Sequence, residues 1–306
     1  MKKDLISILD LSKEYIESLF EIARAFKKDP FSKSTALKSK SIALVFEKPS
    51  NRTRVSFEVG MVDLGGHAIY LGPDELKLGV RESVKDVGKV LSRYLDGIVA
   101  RTFSHKDVVE LARFSSIPVI NGLSDLLHPC QGLSDLFTIK EKFGEEKVKI
   151  AFVGDGNNVL NSLLSGCSVL GKHICVATPK GHEPDKGVLK KADLIAKKSN
   201  AMIELTNDPV KCVKSADVVY TDVWISMGQE SVRSKKITAF KKFQVNKKLL
   251  SHANKGAIVM HCLPAHRGEE ITDEVLDGKN SVVYDQAENR LHVQKAILLK
   301  LLSKKT

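Results

Sequence analysis

The strongest constraint on the fold is a rhythm. Short apolar runs alternate with stretches of helical spacing along the whole chain. Residues 41–46 (SIALVF), 67–71, 96–101 and 117–121 are apolar runs too short for helices, bounded by polar or turn residues. Between them apolar residues recur at i, i+3, i+4 and i+7. Leu11, Tyr15, Ile16, Leu19 and Phe20 do so within 4–28, and Val84, Val87, Val90 and Leu91 within 83–94. In 53–64 two sets share this spacing: Val55, Val59 and Val62, and Phe57, Met61 and Leu64. A further helix is expected over 106–114 and a long one over 131–143. After the charged run Gly144-Glu145-Glu146-Lys147 the rhythm resumes. Strands are predicted at 148–153, 173–177, 201–205, 217–221, 256–260 and 281–283. Helices are predicted at 159–170, 185–198, 209–214, 238–252, 271–276 and 287–303.

Such alternation builds an α/β fold, a doubly wound parallel sheet covered by helices on both faces. At 306 residues the chain is long enough for two such domains, at roughly 150 residues each. The expected division is 1–143 and 144–286. The last helix, within 287–306, carries Leu291, Ala296, Ile297, Leu298, Leu301 and Leu302 and is expected to pack back on the first domain.

Composition narrows the class. No apolar run reaches the ~18 residues of a membrane span. The first residues lack the apolar core of a signal peptide, and Asp4, Asp10 and Glu14 argue against a transit peptide. The cysteines, Cys130, Cys167, Cys175, Cys212 and Cys262, are odd in number and form no CxxC, as in a reduced, cytoplasmic protein. The net charge of +11 invites a nucleic-acid reading. The lysines are dispersed, however, and aromatic residues make up only 6%, so no stacking platform interleaves with the charge. An anionic small-molecule substrate fits the charge as well.

Where a parallel sheet meets its helices, ligands bind beyond the carboxyl ends of the strands. Several stretches lie at such positions. Ser50-Asn51-Arg52-Thr53-Arg54 joins a strand to a helix and reads either as a cap with solvated arginines or as an anion site. Arginines in a first turn oppose the helix dipole, which favours the anion. Arg101 and His128 also follow strands, so topology brings them toward Arg52. The run Gly154-Asp155-Gly156-Asn157-Asn158-Val159 resembles a dinucleotide loop but lacks the third glycine, and no acidic residue ends the next strand. It remains either ordinary turn chemistry or a holder for a carboxylate or amino-acid backbone. Asp222 ends another strand and suits an ammonium group or a cap. His261-Cys262-Leu263-Pro264 ends the strand before 261. Zinc is weakly supported there, because no second ligand pair has metal spacing. Cys262 is either an inert core residue or a neighbour of the reacting group, and Pro264 suits a cis bond.

Together, residues 50–54 (SNRTR), 128–131 (HPCQ), 226–228 (SMG) and 261–264 (HCLP) resemble the ornithine carbamoyltransferases, in order and over essentially the whole chain. The resemblance implies transfer of a carbamoyl group from carbamoyl phosphate to the δ-amine of L-ornithine, giving L-citrulline and phosphate, with no cofactor and no metal. It places carbamoyl phosphate on Ser50, Asn51, Arg52, Thr53, Arg101, His128 and Gln131, with Cys262, Leu263 and Arg290 completing the site. It places ornithine on Asn158, Asp222, Ser226 and Met227, and gives the catalytic work to Arg101, His128, Asp222 and Cys262. Asn51 departs from the usual Ser-Thr-Arg-Thr-Arg loop at a position that contributes mainly backbone N–H. Lys77 falls where the family takes a residue from a neighbouring subunit, which implies a trimer or a multiple of trimers. Anion binding is expected to close the domains and exclude water. Another amine, such as putrescine or an N-acylated ornithine, is the near alternative. A basic nucleic-acid-binding protein is the distant one.

Overall fold

The computed structural model describes residues 4–225 and 233–303. Two compact units divide the chain: one ends at Phe137 and resumes from Glu288, and the other spans Thr138–Ala287. Among the described residues no helix is long and apolar enough to cross a membrane.

The first unit contains α1 (Lys13–Lys28), β1 (Ser41–Phe46), α2 (Asn51–Asp63), β2 (His67–Leu71), α3 (Pro73–Leu76), α4 (Val84–Tyr94), β3 (Gly97–Arg101), α5 (His105–Phe114), β4 (Val119–Leu123) and the start of α6 (Pro129–Phe143). Its parallel sheet has the order β2-β1-β3-β4. β1 and β3 are central and buried on both faces, which is why they read as unbroken apolar runs rather than alternating ones. The chain order reverses between β1 and β3, where Phe46 stands opposite Arg101. The helix expected from residue 4 begins only at Lys13. The Ser12 hydroxyl accepts from Tyr15 N (3.2 Å) and caps the helix there, while Leu5 bridges to Ile120 beside β4.

α2 is apolar on two faces, and the structure uses them differently. Phe57, Met61 and the following Leu64 are buried, whereas Val55, Val59 and Val62 are 47%, 39% and 69% exposed. The last helix, α13, runs Val283–Leu302, starting four residues before the expected 287. Its part in this unit is tied to α2. Lys295, fully buried, donates to Asp63 Oδ2 (2.8 Å) and to the Pro30 carbonyl (2.5 Å), and Gln294 Oε1 accepts from Ser56 Oγ (2.7 Å). A buried ammonium is tolerated only with such partners.

The second unit holds β5 (Lys149–Val153), α7 (Asn158–Leu170), β6 (His173–Ala177), α8 (Lys186–Ser199), β7 (Met202–Thr206), α9 (Pro209–Val213), β8 (Val218–Thr221), α10 (Arg233–Phe240), α11 (Lys247–Leu250), β9 (Ile258–His261) and α12 (Asp273–Leu276). The sheet is again parallel, in the order β7-β6-β5-β8-β9, so the order reverses between β5 and β8. The helix expected over 238–252 is broken into pieces. Val245 N donates to the Glu270 carbonyl (2.8 Å), and Asn246 Oδ1 caps α11 by accepting from Leu249 N (3.0 Å). The strand expected at 281–283 shrinks to one bridge, Ser281 to Val259, because α13 begins at Val283.

Candidate active site

In the first unit the residues singled out at strand ends meet where β1 and β3 part. Ser50 caps α2: its extended backbone turns the chain, and its hydroxyl accepts from Thr53 N (3.3 Å). The remaining N–H groups of a first turn point out of the helix with the positive end of its dipole. Of the two arginines there, Arg54 has a structural explanation. Its Nε donates to Glu58 Oε1 (3.0 Å), and its guanidinium lies 3.7 Å from the centre of the Tyr70 ring. Asn51 is exposed and Arg52 half-buried.

Arg101, the last residue of β3, is buried. Burial, then the charges of Arg290 and Arg52, bring its pKa down to about 10. Its Nε has no acceptor among the described residues. A buried donor of this kind, under like-charge repulsion, is built for an anion. His128, just before α6, is held well below the ordinary histidine range by burial and by Arg290, Arg101 and Arg52. It is therefore neutral at pH 7 and able to donate from one ring nitrogen.

Arg290 of α13 knits this cluster together. It donates to Thr53 Oγ1 (3.0 Å) and to Gln131 Oε1 (2.5 Å), and Gln131 Nε2 donates to Asp135 Oδ1 (2.8 Å). All four residues are buried. Cys130 beside them is unreactive: burial pushes its thiol up to about 12. Lys48 was not singled out in the sequence. It is buried over the Phe103 ring at 4.6 Å, and burial with Arg101 lowers its pKa. Its signal was its place, two residues after a central strand and two residues before the Ser50 cap. Lys77 is exposed at the left-handed end of α3 (φ 43°).

In the second unit the corresponding switch point lies between β5 and β8. Asn157 caps α7 with Oδ1, which accepts from Val159 N (3.0 Å) and Leu160 N (3.1 Å). Its Nδ2 donates to Asp222 Oδ2 (2.6 Å), and the Cys262 thiol donates to Asp222 Oδ1 (3.0 Å). Asp222, after β8, is buried; Cys262, after β9, is half-buried, unlike the other four cysteines. Asn158 opens α7 and is half-buried. Gly156 serves close chain approach rather than a pyrophosphate, since a Cβ there would lie 2.2 Å from the Glu183 carbonyl oxygen. Ser226 and Met227 lie outside the described residues.

Asp222, His261 and Cys262 are near enough together to suggest a metal. The hydrogen bonds of His261 argue against ligation. Its Nδ1 accepts from Leu263 N (2.9 Å) and its Nε2 faces Glu270 Oε1 at 3.1 Å, so both ring nitrogens are engaged. The Leu263–Pro264 peptide is cis. A second signal missed in the sequence is Asp155, which pairs with Lys236 (2.7 Å) and contacts His182 Nδ1 (3.2 Å). Chemically, the first unit offers guanidinium groups, a neutral imidazole and a capped helix start to a phosphate-like dianion. The second offers a carboxylate and a thiol to an ammonium group.

Known proteins carry the same two parts. Residues 3–141 match the family model described as the carbamoyl-P binding domain of aspartate/ornithine carbamoyltransferase, and residues 146–301 match its Asp/Orn binding domain. The catabolic ornithine carbamoyltransferase of Thermoplasma acidophilum is 52% identical over 303 residues, 99% of each chain. The anabolic ornithine carbamoyltransferase of Pyrococcus furiosus is 53% identical over 299 residues, 97% of this chain and 95% of that one. The solved structure of the Pyrococcus furiosus enzyme superimposes with a TM-score of 0.95 at 52% identity, covering 98% of this chain and 97% of that one. With both domain models matched and half of all residues shared with such relatives, the chain belongs to the aspartate/ornithine carbamoyltransferase family.

Proposed function

We propose that this chain catalyses transfer of the carbamoyl group from carbamoyl phosphate to the δ-amine of L-ornithine, yielding L-citrulline and phosphate, a step of arginine metabolism. The observation that carries the reading is the cluster at the β1/β3 switch point. There a buried Arg101 has no acceptor for Nε among the described residues, Arg52 and Arg290 press on it, and His128 is kept neutral. Ornithine carbamoyltransferases from several organisms, 50% to 53% identical, support ornithine as the amine.

The roles follow from charge. The dianionic phosphate takes the first turn of α2 at Ser50, Asn51, Arg52 and Thr53, with Arg101. Nucleophilic attack on the carbamoyl carbon moves negative charge onto its oxygen. Arg101, Thr53 and His128 are donors able to meet that charge, the largest usual catalytic contribution. Arg290 and Gln131 hold the cluster in shape through Thr53 and Asp135. Asp222, oriented by Asn157, takes an ammonium group of the amino acid, and Asn158, Ser226 and Met227 are assigned to the same substrate. Cys262 and Leu263, also in the second unit, are assigned to the amine's side of the reaction. The amine attacks as the free base, its ammonium form having an ordinary pKa of ~10.4. The C–N bond forms, the C–O bond to phosphate breaks, and the departing phosphate takes the proton. Cys262 already spends its own proton on Asp222 and is a poor acceptor.

The exposed Val55, Val59 and Val62 stripe on α2 supports self-association, and a homotrimer to which Lys77 is contributed across subunits is the assembly we propose. The five cysteines, odd in number and without a CxxC, support a reducing, cytoplasmic setting.

Ureido-product formation from carbamoyl phosphate across a panel of amines tests the substrate. L-Ornithine should be preferred over putrescine and N-acetylornithine; equal or faster turnover of putrescine would refute the assignment. Cys262→Ala should lower the ornithine kcat/KM by ~10- to 100-fold, about what losing one hydrogen bond to a charged group costs, while carbamoyl phosphate use is preserved. Unchanged ornithine kinetics would remove Cys262 from the site.

A further inference from the structure

Glu270 has no part in the site as described, yet it is fully buried and aimed at one of the site's motifs. Its Oε1 faces His261 Nε2 at 3.1 Å and accepts from His266 N at 2.6 Å. His261 is itself fully buried, and its Nδ1 accepts from Leu263 N at 2.9 Å. A ring nitrogen that accepts from a backbone N–H carries no proton, so the single ring proton of His261 sits on Nε2 and is donated to Glu270. The other tautomer would set an Nδ1–H against the Leu263 N–H and leave Glu270 with the His266 N–H as its one remaining donor among these groups. The hydrogen bond at one ring nitrogen decides the state of the other.

The backbone of His261 is fixed as well: its N–H donates to Gln286 Oε1 (2.9 Å), and Gln286 Nε2 donates to Tyr220 OH (3.1 Å). The turn bearing Cys262 and Leu263 is therefore held from both sides, by the His261 ring on Leu263 N and by Glu270 on His266 N. Leu263 itself sits in the left-handed region (φ 57°), which a leucine does not choose unaided.

We propose that Glu270 is a positioning residue. By locking His261 in its Nε2–H tautomer and accepting from His266 N, it sets the Cys262–Leu263 backbone and so aims the Cys262 thiol at Asp222. The effect on ornithine use rests on the function proposed above, but the effect on Cys262 does not.

The test compares Glu270→Gln and Glu270→Ala in the full-length enzyme. Glutamine keeps an oxygen for both donors, so its variant should stay within about threefold of wild type in ornithine kcat/KM. The alanine variant should lose about 30-fold or more, with the carbamoyl phosphate KM unchanged. Cys262 is the one cysteine of five that is not buried, so its alkylation by iodoacetamide, located by peptide mapping, reports its setting. That rate should change at least fivefold in Glu270→Ala and stay at the wild-type value in Glu270→Gln. In ¹⁵N-histidine spectra the His261 Nδ1 should be unprotonated in wild type and Glu270→Gln, and mixed in Glu270→Ala. Wild-type kinetics and Cys262 reactivity in Glu270→Ala would overturn the proposal, as would equal loss in both variants. If wild type forms no citrulline while Cys262 reactivity still follows the alanine change, the functional reading fails and the positioning role stands.

Discussion

Arg101→Ala should lower kcat for citrulline formation by ~10²-fold or more, the usual cost of removing one preorganised donor from a developing oxyanion. The expectation rests on Arg101 being buried at the end of a central strand, with no acceptor for Nε among the described residues and its pKa brought down to about 10 by burial, Arg290 and Arg52. Such a group is costly to hold without an anion, so its removal should leave the thermal midpoint of the ligand-free protein unchanged or raised. Stabilisation by carbamoyl phosphate or phosphate should largely disappear. Near-normal kcat would remove Arg101 from the reacting centre. A large drop in the ligand-free midpoint would make it a structural residue instead.

Asp222→Ala should act on the other substrate. It leaves Asn157 Nδ2 and the Cys262 thiol without their shared acceptor and removes the buried negative charge meant for an ammonium group. Truncating one partner of a buried charged pair costs ~2–5 kcal/mol, so ornithine kcat/KM should fall roughly 30-fold to several thousandfold. Binding of carbamoyl phosphate, assigned to the first unit, should be unaffected. Asp222→Asn keeps an acceptor for the thiol and should fall between the two. An Asp222→Ala enzyme with an intact ornithine KM, or one that loses carbamoyl phosphate affinity instead, would break the division of labour between the units.

The parallel α/β architecture was legible because central strands such as β1 and β3 are buried on both faces and so appear as unbroken apolar runs. The same rule explains the misreadings. Capping by Ser12 and Asn246 depends on a side chain reaching a particular N–H, which apolar spacing does not record. Ser281 is apportioned to a single bridge because α13 starts earlier than its apolar face suggests. In α2 both apolar sets have identical spacing, so which one is buried is decided only by the tertiary neighbours.

At the site, strand ends plus topology brought Arg52, Arg101 and His128 together in advance. Lys48, Asp155 and Glu270 were not foreseen. Each works through a neighbour distant in sequence or through its degree of burial, and neither leaves a spacing signature. The SNRTR loop also mixed two roles that spacing cannot separate: Arg54 is bound to Glu58 and stacked on Tyr70, while the charge of Arg52 falls on Arg101 and His128.

The most direct measurement is a crystal structure with a bisubstrate mimic that joins a phosphonate to ornithine. Its phosphonate oxygens should lie within hydrogen-bond distance of Arg52, at the start of α2, and of Arg101, at the end of β3. A phosphonate seated away from those two arginines would contradict the account at its centre.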